Sequence, residues 1–383
     1  MRLFDDTYRS YLGPSNHNEN PYDFYNRSAR NDISIIRNTL EEWFQEYPND
    51  HQKELKNSFV KNFDDCFYEL FLYKLFKELG FEIEIHPTLP KSTKRPDFLI
   101  QKNEQEIYVE AKIVKNKSNE QEALDRKINE FYDSLSKIDS KGFLLQIDTL
   151  IIKGNNQPST KKLIQFVERE IQKLDPDVIT TQLQDKGTES IPVIEVNDDQ
   201  LHLIIKPMPV IAAARNKKKR PIDVYPIETF WGAGEESLKE SISKKAKRYG
   251  ELDKPFIVCV NSLDMRTSGT IDIENAIWGS IAISWSTDPN NHDEKWIRKK
   301  DGLFLDEKGP RLENLSGTFI SKVVPHNIPN ANYWLFQHPF TTNNLDFESI
   351  GLKFSYVKDS QINRVIGDDL DSILSISKNW LNE

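Results

Sequence analysis

Cysteine is scarce: Cys66 and Cys259 are the only two in 383 residues. Two thiols supply neither a disulfide framework nor a four-cysteine zinc site, so the fold must rest on its core, and a reducing compartment is the expected setting. Long apolar runs are also missing. The N-terminal MRLFDDTYRSYLGP has no cationic segment leading into an apolar one, so neither an export signal nor a spanning helix is predicted. The expected location is cytoplasmic, with no membrane partner. Positive charge is in deficit: 51 Lys and Arg face 60 Asp and Glu, a formal net of −9. Such a surface repels polyanions on average, which excludes a simple polybasic nucleic-acid coat. There is no internal repeat of solenoid or propeller type. The seven histidines are dispersed without zinc-site spacing.

The chain is rich in aromatics, with 21 Phe, 13 Tyr and 7 Trp beside 29% charged residues. That is the composition of a folded protein rather than a disordered or collagenous one. Its length allows one large domain or two average ones. No flexible linker marks a boundary, so one elaborated domain is expected, with a helical cap over 1–57, a core over 58–150 and an α+β extension over 151–383. ISIIRNTLEEWFQEY (33–47) has helical periodicity and stops at Pro48. NSFVKNFDDCFYELFLYKLFKELG predicts one long helix, apolar on most sides and ended by Gly80. FEIEIHP, RPDFLIQ and EIYVEAKIV then read as strands, EALDRKINEFYDSLSKI as a helix, and GFLLQI as a strand buried in a parallel sheet. The predicted order is αβββαβ, in a mixed α/β fold. Further on, Ser159–Leu174 and Glu235–Tyr249 read as helices, the latter leading into the buried strand PFIVCV, which could extend the first sheet. IENAIWG, AISW, DGLFL, TFISKVV and YWLFQHP read as mostly strand-like, before a last helix near Asp368–Trp380.

The sharpest chemical signal lies on the predicted hairpin. With Asn103-Glu104 as its two-residue turn, paired positions sum to 207, which places Asp97 opposite Glu110. Alternation puts Lys112 on the same face and turns Phe98, Ile100, Val109, Ala111 and Ile113 toward the core. Like charges directly across a strand pair repel, so a cation is expected between them. Mg²⁺, or Mn²⁺ in its place, answers that need through one or two carboxylates, waters and phosphate oxygens, with Ala111 or Ile113 able to lend a backbone carbonyl. Lys112 would then stabilise charge on a phosphate or help position the attacking water. Glu69, an acid within the most apolar part of its helix, is the natural third carboxylate, since a lone buried charge is costly.

Pro96-Asp97, twelve intervening residues, then Glu110-Ala111-Lys112, preceded by a helix bearing Glu69, resembles the PD-(D/E)xK nuclease superfamily with its restriction-endonuclease-like core. The resemblance spans 58–148. It implies Mg²⁺ or Mn²⁺ on Asp97 and Glu110, a water-assisting Lys112 and a supporting Glu69, all four catalytic. It also implies phosphodiester hydrolysis, of DNA in preference to RNA, in restriction or antiviral defence. A double-strand cut would require a homodimer, a partner complex or two events. The alternative is a non-catalytic nucleic-acid-binding or assembly subunit on the same fold.

Basic residues concentrate between Lys206 and Gly250, where eleven Lys and Arg face five Asp and Glu. Lys217, Lys218, Lys219 and Arg220 on a loop, Lys244, Lys245, Lys247 and Arg248 on a helix, and Arg95 before the motif proline are the candidates for phosphate contacts. A solvated basic surface explains the first two groups as well. His86 is expected to be a turn residue after the first strand, and both cysteines small buried residues.

Overall fold

A computed structural model describes residues 1–115, 119–154, 158–215, 221–226, 234–264, 266–267, 269–286, 290, 293–359 and 361–382. The chain is mixed α/β and divides into two compact units, one of 1–13, 20–116 and 231–383, the other of 14–19 and 117–230. No described helix is long and apolar enough to cross a membrane.

The first unit is built on an eight-stranded mixed sheet whose spatial order follows the chain. Its strands are β1 (Glu82–Ile85), β2 (Phe98–Lys102), β3 (Gln105–Val114), β4 (Phe256–Ser262), β5 (Gly317–Ser321), β6 (Tyr333–Gln337), β7 (Phe354–Lys358) and β8 (Gln361–Val365). β1, β2 and β3 run antiparallel in turn, while β4 lies parallel to both β3 and β5. Every residue of β4 is buried, as a strand covered on both faces requires.

One face of the sheet packs against the N-terminal helices α1 (Pro21–Arg27), α2 (Asn31–Glu46), α3 (Asn49–Lys61) and α4 (Phe63–Glu78). The helix expected over NSFVKN…KELG is two. At Asn62 (φ −132, ψ 62) the chain leaves helical geometry; its N–H caps α3 on the Ser58 carbonyl, and its own carbonyl receives the Cys66 N–H that begins α4. Gly80, at φ +83, ends α4 as expected, in the left-handed region that glycine adopts freely. α4 buries Phe67, Tyr68, Leu70, Phe71, Leu72 and Leu75 against Phe98, Ile100, Val109 and Ile113. Each such side chain contributes roughly 1.5–3 kcal/mol relative to exposure. The opposite face carries α5 (Gly234–Ala246) and α6 (Thr270–Trp278), which pack Leu238, Ile242, Ile273 and Ala276 on Tyr108, Val258 and Val260. α6 contains IENAIWG, expected as strand; Ile273, Ala276 and Ile277 recur at helical spacing on its buried side. The last predicted helix shortens to 370–374.

The second unit overturns two expectations. The helix Asn119–Leu135 and the strand Phe143–Ile152 do not complete the first sheet but belong to this separate body. The strand pairs antiparallel with Leu201–Pro209 and parallel with Ile222–Val224. Phe143, Leu145 and Ile147 are buried, whereas Leu144 and Gln146 are half-exposed. GFLLQI is therefore a half-buried strand of a mixed sheet, not one enclosed in a parallel sheet. Phe131, Leu135, Ile147, Leu163, Val167, Leu203 and Ile205 form this unit's own core. Residues 14–19 belong to it because His17 bonds Asp133 through Nδ1 (2.7 Å) and Tyr225 through Nε2 (2.9 Å). The chain is thus not one elaborated domain, and the span 58–150 is not one body.

Candidate functional site

The hairpin has the expected register. Phe98 pairs with Val109 and Lys102 with Gln105 across the turn Asn103-Glu104, so Asp97 stands one step beyond the ladder, facing Glu110. Strand alternation does the rest: the residues flanking these acids lie under α4, leaving Asp97, Glu110 and Lys112 on the face that α5 covers.

Asp97 is half-buried, and its Oδ2 accepts the Ala111 N–H at 2.6 Å. Oδ1 accepts no hydrogen bond among the described residues. Burial first, and then the charge of Glu110, push the Asp97 carboxyl up to about 7, against the pull of the Ala111 amide and Lys245. Glu110 has no exposed surface. Its Oε1 accepts Lys245 Nζ and, at 2.9 Å, Arg248 Nη1, while its Oε2 meets the Tyr249 hydroxyl. That hydroxyl also reaches the Arg95 carbonyl at 2.9 Å, so one proton serves two acceptors and burial beside Glu110 raises the phenol. Lys112 sits opposite Val260 on β4, half-buried, and makes no hydrogen bond or ion pair through its ammonium among the described residues.

The cation expected between the two acids is thus partly supplied by the protein itself. Lys245, in the last turn of α5, and Arg248 just beyond it also complement the helix dipole. Of the expected phosphate contacts, these two are engaged by Glu110, whereas Lys244, Lys247 and Arg95 are exposed. Lys217, Lys218, Lys219 and Arg220 lie outside the described residues. Tyr249 is the functional candidate the motif search missed. Its signal was proximity: Leu238, Ile242 and Lys245 share a face of α5, and Tyr249 follows shortly after the helix ends at Ala246.

Glu69 is placed elsewhere. α4 lies on the other face of the sheet, and Glu69 Oε1 accepts the Tyr47 hydroxyl at 2.6 Å. It lines a pocket with Tyr47, His51, Glu54, Ser58 and His86. Burial raises its carboxyl, while the Tyr47 hydrogen bond and the charges of His86 and His51 oppose the rise. Glu69 adds to the field at Asp97. Among the described residues, no three acids, histidines or cysteines are grouped so as to hold a metal ion. His86 follows β1 at φ +51 and donates its backbone N–H to the Asp97 carbonyl at 3.0 Å. It fixes the backbone of the motif aspartate, as a turn residue does. Cys66 and Cys259 are buried, and burial raises both thiols.

The pair still suits a hard divalent ion. Asp97 offers an unbonded oxygen, Glu110 retains one of about four lone-pair directions, and Mg²⁺ is held by as few as one or two carboxylates with waters and phosphate oxygens. In comparisons, the chain matches no protein-family model, no curated protein and no solved structure.

Proposed function

We propose that the chain is a divalent-metal-dependent nuclease with a restriction-endonuclease-like core interrupted by the second unit. With residues 117–230 set aside, α4-β1-β2-β3-α5-β4 runs in the order αβββαβ. The observation that carries this reading is the Asp97 and Glu110 pair at the end of the hairpin, close enough for the Glu110 charge to act on Asp97, with Lys112, which makes no ion pair among the described residues, two positions along β3 from Glu110. Asp97 and Glu110 hold Mg²⁺ or Mn²⁺; the ion supplies charge neutralisation at phosphate and a water acidic enough to act as nucleophile. Lys112 orients that water or stabilises charge on the phosphate oxygens. Lys245 and Arg248 pair with the buried Glu110 carboxylate, and Glu69 adds to the field at Asp97. Exposed Lys244, Lys247 and Arg95 steer the substrate phosphates. DNA is the proposed substrate, and one such site cuts one strand.

The test is digestion of closed-circular plasmid, circular single-stranded DNA and RNA by the purified full-length protein. Mg²⁺ or Mn²⁺ is expected to support cleavage and EDTA to stop it. Asp97→Ala and Lys112→Ala should each lower the rate by about a hundredfold or more. Cleavage at the wild-type rate by either variant would remove the assignment. The occupied Glu110 carboxylate favours one second reading, a non-catalytic nucleic-acid-binding subunit. Binding without cleavage of DNA or RNA in either metal would select it.

A further inference from the structure

After α6 the chain forms a two-stranded antiparallel ribbon, Ile281–Ser284 with Lys295–Arg298, in which all residues but Ala282 and Arg298 are exposed. Its root is held. The Ser280 N–H and hydroxyl donate to the Asp301 carboxylate at 2.7 and 2.9 Å, and Arg298 Nη1 donates to the Gly279 carbonyl at 2.7 Å. The Ser286 N–H donates to Asp293 Oδ1 at 2.7 Å nearer the tip. A firmly rooted element therefore displays its side chains outward.

Trp296 stands directly across from Ile283, and Trp285 follows immediately after the first strand ends at Ser284. Trp296 is 75% and Trp285 66% exposed. The other tryptophans among the described residues are buried or half-buried. Two rings left in water on one small ribbon mark a contact surface. The neighbouring charges indicate what it meets. Lys295, Lys299 and Lys300 are exposed and form no ion pair among the described residues, whereas of the three adjacent acids Asp293 accepts from Ser286 and Asp301 from Ser280. Flat aromatic faces beside unpaired ammonium groups match an unpaired nucleic-acid strand, in which bases stack on rings and phosphates meet cations. Within a duplex the bases already stack on one another and offer the rings no face.

We propose that this ribbon binds the unpaired bases of a single-stranded nucleic-acid segment. The proposal rests on the nuclease reading for its place in a reaction but not for its test. Full-length protein in EDTA is titrated against labelled 20-nucleotide oligothymidylate and against a duplex of equal length, at one salt concentration. The double variant Trp285→Ala/Trp296→Ala is expected to lose on the order of tenfold or more in affinity for the single strand and less than about twofold for the duplex. Trp285→Phe/Trp296→Phe should retain most binding, which separates stacking from folding. Unchanged single-strand affinity in the alanine variant would overturn the proposal, as would equal losses on both probes. So would a wild-type dimer that the alanine variant abolishes at unchanged single-strand affinity, since the ribbon would then be a face between copies. Because no cleavage enters the readout, ribbon-dependent binding without nuclease activity would defeat only the functional reading. Cleavage with ribbon-independent binding would defeat only this one.

Discussion

Asp97→Asn is expected to yield a protein more stable than the wild type at pH 8 and inactive in cleavage. Burial beside Glu110 raises this carboxyl from 3.8 to about 7, so ionising it opposes folding. Such a shift corresponds to at most about 4 kcal/mol, and water reaching a half-buried group reduces it, leaving about 2 kcal/mol as the expected gain. The sign follows from proton counting. Below about pH 4 both folded and unfolded Asp97 carry the proton and the substitution relieves nothing. From pH 4 to 7 the unfolded chain releases its proton first, so the wild type loses stability as pH rises while the asparagine variant does not. Above pH 7 the difference is complete. Asparagine keeps an oxygen for the Ala111 N–H, so the hairpin end survives. Thermal unfolding of both proteins from pH 4 to 9 measures the gap, which should widen to pH 7 and then level. A constant gap, or a less stable variant at pH 8, would contradict the electrostatic account. Cleavage should fall about a thousandfold, equivalent to about 4 kcal/mol of lost transition-state stabilisation.

Lys245→Met should act in the opposite direction. Glu110 is wholly buried, and Lys245 is its least exposed charged partner. Removing one partner of a buried pair leaves an uncompensated charge, at a cost of about 3–5 kcal/mol; with Arg248 and Tyr249 still bonded to the carboxylate, about 3 kcal/mol is expected. Adding Glu110→Gln removes the stranded charge, so the double variant should recover most of the loss. Denaturant unfolding of the two single variants and the double one yields the coupling directly. A Lys245→Met protein within about 0.5 kcal/mol of wild type would show that this ion pair does not hold Glu110. The two predictions together describe a site in which one acid is held against repulsion and the other is tightly compensated.

Local signals carried much of this arrangement. The hairpin register followed from Asn103-Glu104 and the alternation on either side, because a one-residue slip would have turned Phe98, Ile100 and Val109 out of the core. Pro48 and Gly80 marked where helices end, through φ restriction and left-handed tolerance. What could not be read was long-range. Nothing in the neighbourhood of EIYVEAKIV states that its parallel partner lies at Phe256, with a whole second unit between; GFLLQI and PFIVCV are both largely apolar, and packing decides which joins β3. That one choice fixes which helix covers Glu110, and hence why Lys245 and Arg248 bond to a carboxylate. The surroundings of Glu69 were illegible for a related reason: the face of the sheet on which its helix packs is a tertiary fact. The exposed Trp285 resembles a core residue in sequence, since Ile281, Ile283 and Trp285 alternate as a half-buried strand does.

The central claim is that Asp97 and Glu110 share a divalent ion, and the direct measurement is anomalous diffraction from crystals of the full-length protein grown with Mn²⁺ and a DNA strand. The account predicts one Mn²⁺ peak in contact with an oxygen of each carboxylate, Lys112 directed toward the phosphate beside it, and Lys245 drawn away from Glu110 Oε1. A saturated crystal with no peak at this pair, and with Lys245 and Arg248 still bonded to Glu110, would contradict it.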